Sequence, residues 1–518
     1  MKKFMGTGVC ALIALFHLQE ESGALPALRG RAGNQRLIED STGKAFFMAG
    51  FAPQGIMCKS KGTIDSFFTA RQSQGYNFAW IFAAPFFTNV DYYGNHMFFT
   101  DPGSWESSNI NPAYMATLDY MVQSAENHGI YLFLDPDNDG SGGATPVAPH
   151  SLLECRHYGE FFGNRYKNSN NVNWTFASDN FVPDKNTEIA LGIKGYMPNA
   201  LYCIDWWDGS GFHQPYEAYT QNGCTWINVW GWYENYADAW TRTQTEYKRS
   251  IVRPVVIFEA NYEQERSPIT TPLDMRNQMY ETVLGGGSGF GILGDKHWQD
   301  GVYEPLPGLS LHTPKCVNFF ASRKWYELVP DANNSFKTAS TRTACAARTA
   351  DGTLGLSYSE GKSGGNTITI DMSKMSGQTT ARWYDVASGQ YTSIGTFANS
   401  GSRSFTTPSA NSYGDWDWLL VLEGSITGLK TPGKAASMAM DCFPNPFKNT
   451  ARIRYEGRGK GLLEFFDLRG SRLMSAAAGG EQLKAGIDLD TRTLSEGMYV
   501  VRLSLDGKRQ GRVVAKVH

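Results

Sequence analysis

The sequence lacks an excess of charge of either sign. Its 518 residues include 47 Lys and Arg against 50 Asp and Glu, which gives a formal net charge of −3. No block of Lys or Arg occurs in the first four hundred residues. Proteins that bind nucleic acid concentrate positive charge on one surface, so this composition argues against nucleic acid as the partner and favours a neutral or weakly charged ligand.

Long apolar runs are also missing beyond the N-terminal segment. There, Lys2 and Lys3 precede an apolar stretch from Val9 to Leu18 and a small-residue run that ends at Ala27. This order is typical of a secretory signal peptide, and we predict cleavage after Ala27, which makes residues 1–27 the signal peptide. No later run reaches the roughly 18 residues that a transmembrane helix needs, so we predict no such helix.

Cysteine is sparse and irregularly spaced. Eight cysteines occur in the chain, Cys10 lies in the predicted signal peptide, and no pair has the CxxC spacing of a zinc site. The odd number that remains gives no disulfide framework, so we predict that most are small buried apolar residues. The HExxH motif is absent and no Ser or Cys nucleophile can be placed beside a suitable His, so a protease has little support. We predict no metal and no cofactor.

Aromatic residues, by contrast, are abundant. They make up 13% of the chain, with 14 Trp and 25 Tyr. A flat apolar ring with a polar edge suits the C–H faces of sugars, although large enzymes also pack aromatics in their cores. Composition therefore leaves a sugar-binding surface and a plain aromatic core equally open.

Short β-branched and aromatic runs alternate with helical patterns from about residue 45 to 325. This alternation is typical of βα units around a parallel sheet, and eight units in a segment of this size predict an α/β fold, a closed (β/α)8 TIM barrel. We assign the barrel to residues 28–330. The predicted strands are Phe46–Phe51, Phe78–Ala84, Ile130–Asp135, Val172–Ser178, Leu201–Trp206, Trp226–Trp232, Pro254–Ala260 and Gly289–Gly294.

The pattern changes after Pro330 to alternating apolar and polar residues with Gly, Ser and Asn turns. This change predicts a β-sandwich at residues 331–424. Residues 425–440 are rich in Gly, Pro, Ser, Ala and Lys without periodicity, as expected of a linker. A small β-rich unit, again sandwich-like, follows at residues 441–518.

Two carboxylates end apolar strands on opposite sides of the predicted barrel. Strand four finishes with Asn173-Trp-Thr-Phe-Ala-Ser-Asp179, and strand seven with Val255-Val-Ile-Phe-Glu259. Reactive groups in this fold lie where strands end, and a carboxylate behind an apolar strand is costly unless a site requires it. Either residue could instead cap a helix or form a salt bridge.

Such a pair predicts a retaining glycosidase if the two carboxyl groups lie about 5 to 5.5 Å apart. The acid/base must hold a proton near neutral pH, and the apolar setting of Trp174 and Phe176 favours the protonated form of Asp179. We therefore predict Asp179 as the acid/base and Glu259 as the nucleophile.

Further polar and aromatic residues near the predicted strand ends are candidates for substrate contacts. They are Asp135, Asp205, Trp206, Asn228, Trp230, Tyr262, Arg276, His297 and Trp298. Each is as readily explained by packing under a loop. Glu263, four residues after Glu259, is expected to orient the nucleophile or Arg276, or to form a salt bridge.

The segment Asp135-Pro-Asp-Asn-Asp-Gly140 matches the front half of a calcium loop. Pro146 stands where the Glu of the twelfth position is required. Because that bidentate ligand is missing, we favour a substrate-facing loop and keep calcium binding as the alternative.

Several segments carry a family resemblance. They are Tyr158–Lys167 with Asn173, Trp174 and Asp179, then Pro254–Glu263, Arg276 with Tyr280, and residues 285–298. Together they resemble the apiosidase-like glycoside hydrolases of family 140. Ser322–Asp331, Thr349–Gly352 and Trp383–Asp385 resemble the collagen-binding-type second domain of the same proteins. The resemblance covers about residues 30–424 and implies the acid/base role for Asp179 and the nucleophile role for Glu259.

Two segments depart from that family's usual pattern. Its strand one commonly ends Gly-Asp-Thr-Ala-Trp, where this chain has Gly50-Phe-Ala-Pro-Gln54. Strand six reads Asn228-Val-Trp-Gly-Trp232, where a more polar sequence is common. These differences weaken the case for apiose itself, whereas both carboxylates are present.

The last unit also carries a resemblance. It contains Phe443-Pro-Asn-Pro-Phe447, Phe465–Gly470, Gly497–Leu503 and Val513–His518. These segments resemble the C-terminal sorting domain of the bacterial type IX secretion system. The resemblance implies the outer-membrane secretion machinery as a partner and a secreted or cell-surface location in a Gram-negative bacterium.

The sequence thus predicts a secreted retaining glycoside hydrolase that acts on side chains of plant cell-wall polysaccharides. Two alternatives stay open. One is an endo-acting glycanase of the same barrel clan, and the other is a non-catalytic surface protein that binds a glycan or matrix. A pure binder has no need for carboxylates at opposite strand ends, which is why we place it behind the hydrolase.

Overall fold

The structure is a computed structural model that describes most of the chain. The described residues are 24–31, 36–83, 90–100, 103–137, 147–176, 181–204, 215–233, 238–265, 268–293, 306–361, 363–425, 441–443, 447–455, 460–466, 472–494, 497–505 and 508–516. The chain divides into two compact units, Met1–Ile426 and Thr427–His518. The predicted domain boundaries and the signal peptide stay predictions.

A parallel sheet forms the core of the first unit. Its strands are β3 (Met48–Phe51), β4 (Phe78–Phe82), β5 (Tyr131–Asp135), β6 (Val172–Trp174), β7 (Trp230–Tyr233), β8 (Val255–Glu259) and β9 (Gly289–Leu293), and a hairpin of β1 (Leu28–Gly30) and β2 (Ile38–Asp40) precedes them. The described strands follow the order β6-β5-β4-β3-β9-β8-β7.

A short eighth segment closes the ring between β6 and β7. Trp174 forms a parallel bridge with Tyr202. The carbonyl oxygen of Tyr202 accepts hydrogen bonds from the backbone N–H groups of Asn228 at 3.0 Å and Val229 at 3.2 Å. The predicted (β/α)8 barrel is therefore confirmed, with strand five reduced to a bridge.

Large aromatic side chains fill the interior of the barrel. Alternate residues of β4, Phe78, Trp80 and Phe82, belong to the inner cluster together with Phe133 and Phe258. The rings of Phe133 and Phe258 meet edge to face at 5.2 Å. The residues between them, such as Ile81, join the outer cluster under the helices, as the two-residue period of a strand requires.

Helices surround the sheet. They are α1 (Lys61–Ser73), α2 (Pro112–Asn127), α3 (Leu152–Tyr166), α4 (Pro183–Tyr196), α5 (Pro215–Gln221), α6 (Ala239–Tyr247), α7 (Pro272–Leu284) and α8 (Thr313–Ala321). Local sequence explains where they begin: Ser151 with Glu154 and Thr271 with Asp274 form reciprocal capping boxes at α3 and α7. A π-helical turn, Gly308–His312, precedes α8.

The β-sandwich follows in the same compact unit. Its strands are β10 (Leu328–Pro330), β11 (Lys337–Ser340), β12 (Ala344–Thr349), β13 (Leu354–Ser359), β14 (Thr367–Asp371), β15 (Thr379–Tyr384), β16 (Tyr391–Phe397), β17 (Ser402–Thr406) and β18 (Trp418–Gly424). They form antiparallel sheets in the orders β10-β12-β13-β18-β15-β16 and β11-β14-β17. Apolar residues such as Phe336, Ile370 and Leu420 form its own core.

The barrel and the sandwich meet through buried polar groups. The guanidinium of Arg276 on α7 donates to Asp417 through Nε at 2.7 Å and Nη2 at 2.8 Å. Nη2 also donates to Asp415 at 2.7 Å, and Nη1 lies 2.9 Å from Nδ1 of His312. The hydroxyl of Tyr358 donates to Asp417 at 2.9 Å. A buried network of hydrogen bonds and ion pairs therefore connects the barrel to the β-sandwich.

The second unit has a core of its own. Its strands are β19 (Asp441–Phe443), β20 (Thr450–Arg454), β21 (Lys460–Phe466), β22 (Arg472–Gly479), β23 (Ile487–Asp490), β24 (Gly497–Leu505) and β25 (Lys508–Lys516), with helix α9 at Gly480–Ala485. Their orders are β19-β20-β23 and β22-β21-β24-β25. Phe447, Phe465 and Val501 lie in the buried cluster between them.

The cysteines and helices of the described ranges fit the expectations from composition. Six described cysteines are free thiols, and all but Cys58 are buried. No helix within the described ranges is long and apolar enough to cross a membrane.

Candidate active site

The carboxyl ends of the parallel strands define one face of the barrel, and polar residues gather there. Asp135 ends β5, where it pairs in register with Phe82 of β4. Glu259 ends β8, where it pairs with Tyr233 of β7 and Ile292 of β9. Both side chains therefore belong to the face on which barrel enzymes carry their reactive groups.

Glu259 is the one partly exposed residue of its strand. The four preceding residues, from Val255 to Phe258, are buried, and Glu259 is half-buried. The chain beyond it is anchored to the following helix, because Oε1 of Gln278 on α7 accepts a hydrogen bond from the backbone N–H of Asn261 at 2.8 Å. A fixed strand end with an accessible carboxylate suits a group that must meet a substrate.

Asp135 and Asp137 form a buried acidic turn after β5. Asp135 is 0% exposed and Asp137 is 2% exposed. Oδ1 of Asp135 accepts from the backbone N–H of Asp137 at 3.2 Å, and the hydroxyl of Tyr158 on α3 donates to the carbonyl oxygen of Pro136 at 2.7 Å. Burial, followed by the nearby Asp137 and Asp135, raises the pKa of the Tyr158 phenol.

Asn186 of α4 connects this turn to the segment that carries the predicted acid/base. Its amide nitrogen donates to Oδ2 of Asp137, and its Oδ1 accepts from the backbone N–H of Val182 at 2.7 Å. Val182 stands three residues after Asp179 in the sequence. The sequence analysis did not identify Asn186, whose only signal in the sequence is an asparagine inside a helical segment, where this residue is disfavoured.

Several buried polar atoms of the barrel strands and of the residues that follow them have no hydrogen-bond partner among the described residues. They are Nε1 of Trp80, Nδ2 of Asn173 and Oγ1 of Thr175. The side-chain oxygen of Asn173 accepts a hydrogen bond from the backbone N–H of Leu201 at 2.9 Å. Tyr262, which was predicted to contact a substrate, is 2% exposed and belongs to the same inner cluster as Phe258. Buried donors and acceptors of this kind are completed by water or by a polar ligand.

Two of the predicted substrate contacts have structural partners instead. Trp230 begins β7, is 0% exposed, and donates through Nε1 to the carbonyl oxygen of Ile251 at 2.9 Å. Asn228 precedes that strand and bonds the backbone of Tyr202 and Ala200. Both lie at the starting end of β7, because this strand begins at residue 230 and not at 226 as predicted.

Arg276, another predicted substrate contact, also has structural partners. It is fully buried and bonded to Asp417 and Asp415 of the sandwich. Glu263 is not among the hydrogen-bond partners of the Arg276 guanidinium, so the expectation that Glu263 orients Arg276 is not met. The carboxylate of Glu263 instead accepts hydrogen bonds from the backbone N–H groups of Gly308 at 2.8 Å and Leu309 at 3.1 Å. Arg276, Asn228 and Trp230 therefore have structural roles in the described part of the chain.

The remaining predicted site residues lie outside the described residues. They are Asp179, Asp205, Trp206, His297 and Trp298. The alternative calcium loop is described only as far as Asp137. Within the described ranges, no group of three or more His, Cys, Asp or Glu side chains is placed to hold a metal ion.

Comparison with protein families finds three successive matches. The family described as "Apiosidase-like, catalytic domain" matches residues 32–327. The family described as "Putative collagen-binding domain of a collagenase" matches residues 329–423, and the one described as "Secretion system C-terminal sorting domain" matches residues 441–516. These matches confirm the resemblances seen in the sequence and the secreted or cell-surface location.

Several solved structures are similar to this chain at low sequence identity. A glycoside hydrolase of family 5 from Bacteroides vulgatus has a TM-score of 0.65 at 20% identity, with 77% of this chain and 93% of that chain covered. A second structure, titled glycoside hydrolase, gives a TM-score of 0.65 at 20% identity, with 78% and 97% covered. At this identity the likeness shows the shared fold. No curated protein sequence matches the chain.

Proposed function

Because this chain belongs to the apiosidase-like family of glycoside hydrolases, we propose that it hydrolyses side chains of plant cell-wall polysaccharides with retention of configuration. The observation that carries the proposal is Glu259, a half-buried carboxylate at the end of an otherwise buried apolar strand. An ionisable group in that position is expected where chemistry requires it.

Glu259 is the proposed nucleophile. Its carboxylate attacks the anomeric carbon of the bound sugar while the bond from that carbon to the leaving oxygen breaks. The product of this step is a covalent glycosyl ester of Glu259. The hydrogen bond from the backbone N–H of Asn261 to Gln278 holds the chain two residues after the nucleophile and so supports the backbone that carries it.

Asp179 is the proposed acid/base. It donates its proton to the leaving oxygen in the first step. In the second step it removes a proton from water, whose oxygen attacks the anomeric carbon and releases Glu259. Asn186 holds Val182, three residues further on, to the acidic turn at Asp137, so one end of the segment with Asp179 has a fixed support.

The substrate pocket is proposed to lie among Asp135, Thr175 and Tyr262. Asp135 pairs with the carboxyl end of β4, and Thr175 continues the same edge by donating its N–H to Leu134 at 3.0 Å. The unpartnered Oγ1 of Thr175 and Nε1 of Trp80 are suited to sugar hydroxyls or to waters that such hydroxyls displace. Asp205, Trp206, His297 and Trp298 remain predicted contacts.

The experiment that tests this function is hydrolysis by the mature chain of pectin, xylan, β-mannan and p-nitrophenyl glycosides. Glu259→Gln and Asp179→Asn are compared with Asp184→Asn, which alters an exposed carboxylate five residues after Asp179. We expect the first two variants to lose at least about 100-fold in kcat and the third to keep the parental rate.

The anomer formed first, read by ¹H NMR, tests retention separately. An inverted product would exclude the double displacement. The parent could instead bind a glycan without cleaving it, with Glu259→Gln and Asp179→Asn binding equally well. That result would contradict the hydrolase and favour a non-catalytic glycan-binding protein.

The C-terminal sorting domain gives a further part of the proposal. It directs the protein across the outer membrane through the type IX machinery and is removed or used for attachment at the surface. Deleting residues 441–518 in the producing bacterium is expected to leave the protein in the periplasm, which fractionation and immunoblotting measure. Unchanged export would contradict this role.

A further inference from the structure

Tyr413 of the β-sandwich is an exposed aromatic residue on a rigid turn. Its side chain is 45% exposed. Beneath it, Oδ1 of buried Asn411 accepts from the backbone N–H groups of Tyr413 at 2.9 Å and Asp415 at 3.1 Å. The amide nitrogen of Asn411 donates to Oδ1 of Asp417 at 2.7 Å. The turn is therefore anchored to the buried ion pair of Asp417 with Arg276.

Contacts with the barrel hold the ring itself. The ring of His312, which is 1% exposed, meets the Tyr413 ring at 4.8 Å and 90°. The guanidinium carbon of Arg276 lies 5.8 Å from the centre of the same ring. Because barrel groups support the ring while almost half of the side chain faces solvent, a flat ligand has a preorganised surface to stack on.

Contacts also connect Tyr413 to the proposed catalytic face. His312 ends the π-helical turn whose first N–H groups bind Glu263. Glu263 follows Glu259 by four residues, and β8 and β9, which lead into these two segments, are neighbours in the barrel. Two more apolar side chains on these segments, Leu311 and Ile269, are 55% and 64% exposed. A chain of contacts thus leads from Tyr413 through His312 and the π-helical turn to Glu263, four residues after Glu259.

We propose that Tyr413 forms a distal sugar-binding subsite that stacks on a glycan chain extending from Glu259. This inference rests on the proposed function and deepens it. It means that the sandwich takes part in substrate binding, and that the substrate is recognised over several sugar units and not through one terminal sugar alone.

The test compares a long and a short substrate. Tyr413→Ala is expected to raise KM for the polysaccharide that the parent cleaves among pectin, xylan and β-mannan by roughly 2- to 10-fold, the range of one aromatic contact. KM and kcat for the p-nitrophenyl glycoside are expected to stay at the parental value, because that substrate ends before the distal subsite. Tyr413→Phe, which keeps the ring, is expected to restore binding of the polysaccharide.

A matched control removes another exposed tyrosine. Tyr196, at the end of α4, is 43% exposed, so Tyr196→Ala deletes a similar ring elsewhere on the barrel. Thermal unfolding of both variants checks that the fold is intact. Equal KM values for Tyr413→Ala and the parent on the polysaccharide, or equal losses on both substrates, would overturn the subsite while leaving the hydrolase standing.

Binding is also measured without catalysis. Native electrophoresis in gels that contain pectin, xylan or β-mannan reports retardation of the protein by each glycan. We expect Tyr413→Ala to be retarded less than the parent and Tyr196→Ala to be retarded equally. This result would support the subsite even if the parent cleaved nothing, whereas equal retardation of all three proteins, or no retardation of the parent, would reject it.

Discussion

Arg276 of the barrel and Asp417 of the β-sandwich form a bidentate ion pair in which neither side chain is exposed to solvent. The remaining capacity of Asp417 is taken up by the hydroxyl of Tyr358 and the amide of Asn411. A buried charge is tolerated only with such complete partnering. The pair is therefore the electrostatic centre of the contact between the two domains.

Loss of one partner is expected to destabilise the first unit strongly. Arg276→Met leaves the Asp417 carboxylate buried without its counter-charge, which costs about 3–5 kcal/mol. Urea unfolding followed by Trp fluorescence measures this cost, because all 14 Trp residues of the chain precede residue 427.

The control for this prediction is a solvent-exposed pair. Arg165 and Asp119 have side chains that are 30% and 45% exposed. Arg165→Met is expected to change the free energy of unfolding by about 1 kcal/mol or less, since water screens such pairs. Similar losses in both variants would contradict the central role of Arg276.

The sequence could place Arg276 on a helix but could not identify its partner. Helix α7 begins at a capping box formed by Thr271 and Asp274, which is a signal local in the sequence. Asp417 lies 141 residues further along the chain, where no local pattern records the contact. Its position near a predicted strand end made Arg276 a candidate for a substrate contact, whereas its ion pair with Asp417 gives it a structural role.

His312 is expected to make the first unit less stable in acid. Burial, followed by the charge of Arg276, lowers the pKa of its imidazole to about 3 from the ordinary 6.5. Between these values the unfolded chain binds a proton that the folded chain does not, so stability falls as the pH drops from about 6.5 towards 3. The slope contributed by this one group is at most about 1.4 kcal/mol per pH unit.

The measurement is the free energy of unfolding of the parent and of His312→Asn at several pH values between 4 and 8. Asparagine keeps an acceptor for Nη1 of Arg276 but does not titrate. The difference between the two proteins is expected to be constant above about pH 7 and to shift in favour of the variant below it. A difference that stays constant at every pH would mean that His312 does not carry the effect.

Asn186 is expected to act as a positioning residue. Asn186→Ala removes the amide that joins Asp137 to Val182, so the segment with Asp179 loses one support. Small displacements of catalytic groups lower kcat on the order of 10- to 100-fold, with a smaller change in KM. Kinetics on a p-nitrophenyl glycoside separate the two constants.

Glu188→Ala on the same helix serves as the control. Glu188 pairs with Arg156 at the surface of α3 and α4, away from the acidic turn. Its removal is expected to leave kcat unchanged. If Asn186→Ala kept the parental kcat while losing thermal stability, its role would be structural only.

Local signals also explain which parts of the site the sequence could predict. Asp135 and Glu259 each follow an apolar run of five buried residues, so their strand ends could be predicted directly. Trp230 was misjudged because its strand begins four residues later than the aromatic pattern indicates. The roles of Glu263 and Asn186 depend on partners 45 and 49 residues away, which only the folded chain brings together.

The contact of Glu263 with Gly308 and Leu309 bears on how the enzyme could be engineered. One carboxylate fastens the segment after the nucleophile to the turn that follows residues 294–305. The strand β9 fixes the other end of that stretch. The described residues on either side of residues 294–305 are thus held in place, by β9 on one side and by Glu263 on the other. Libraries of variants that differ in the number of residues between these two ends are expected to change the substrate range while leaving Glu259 in place.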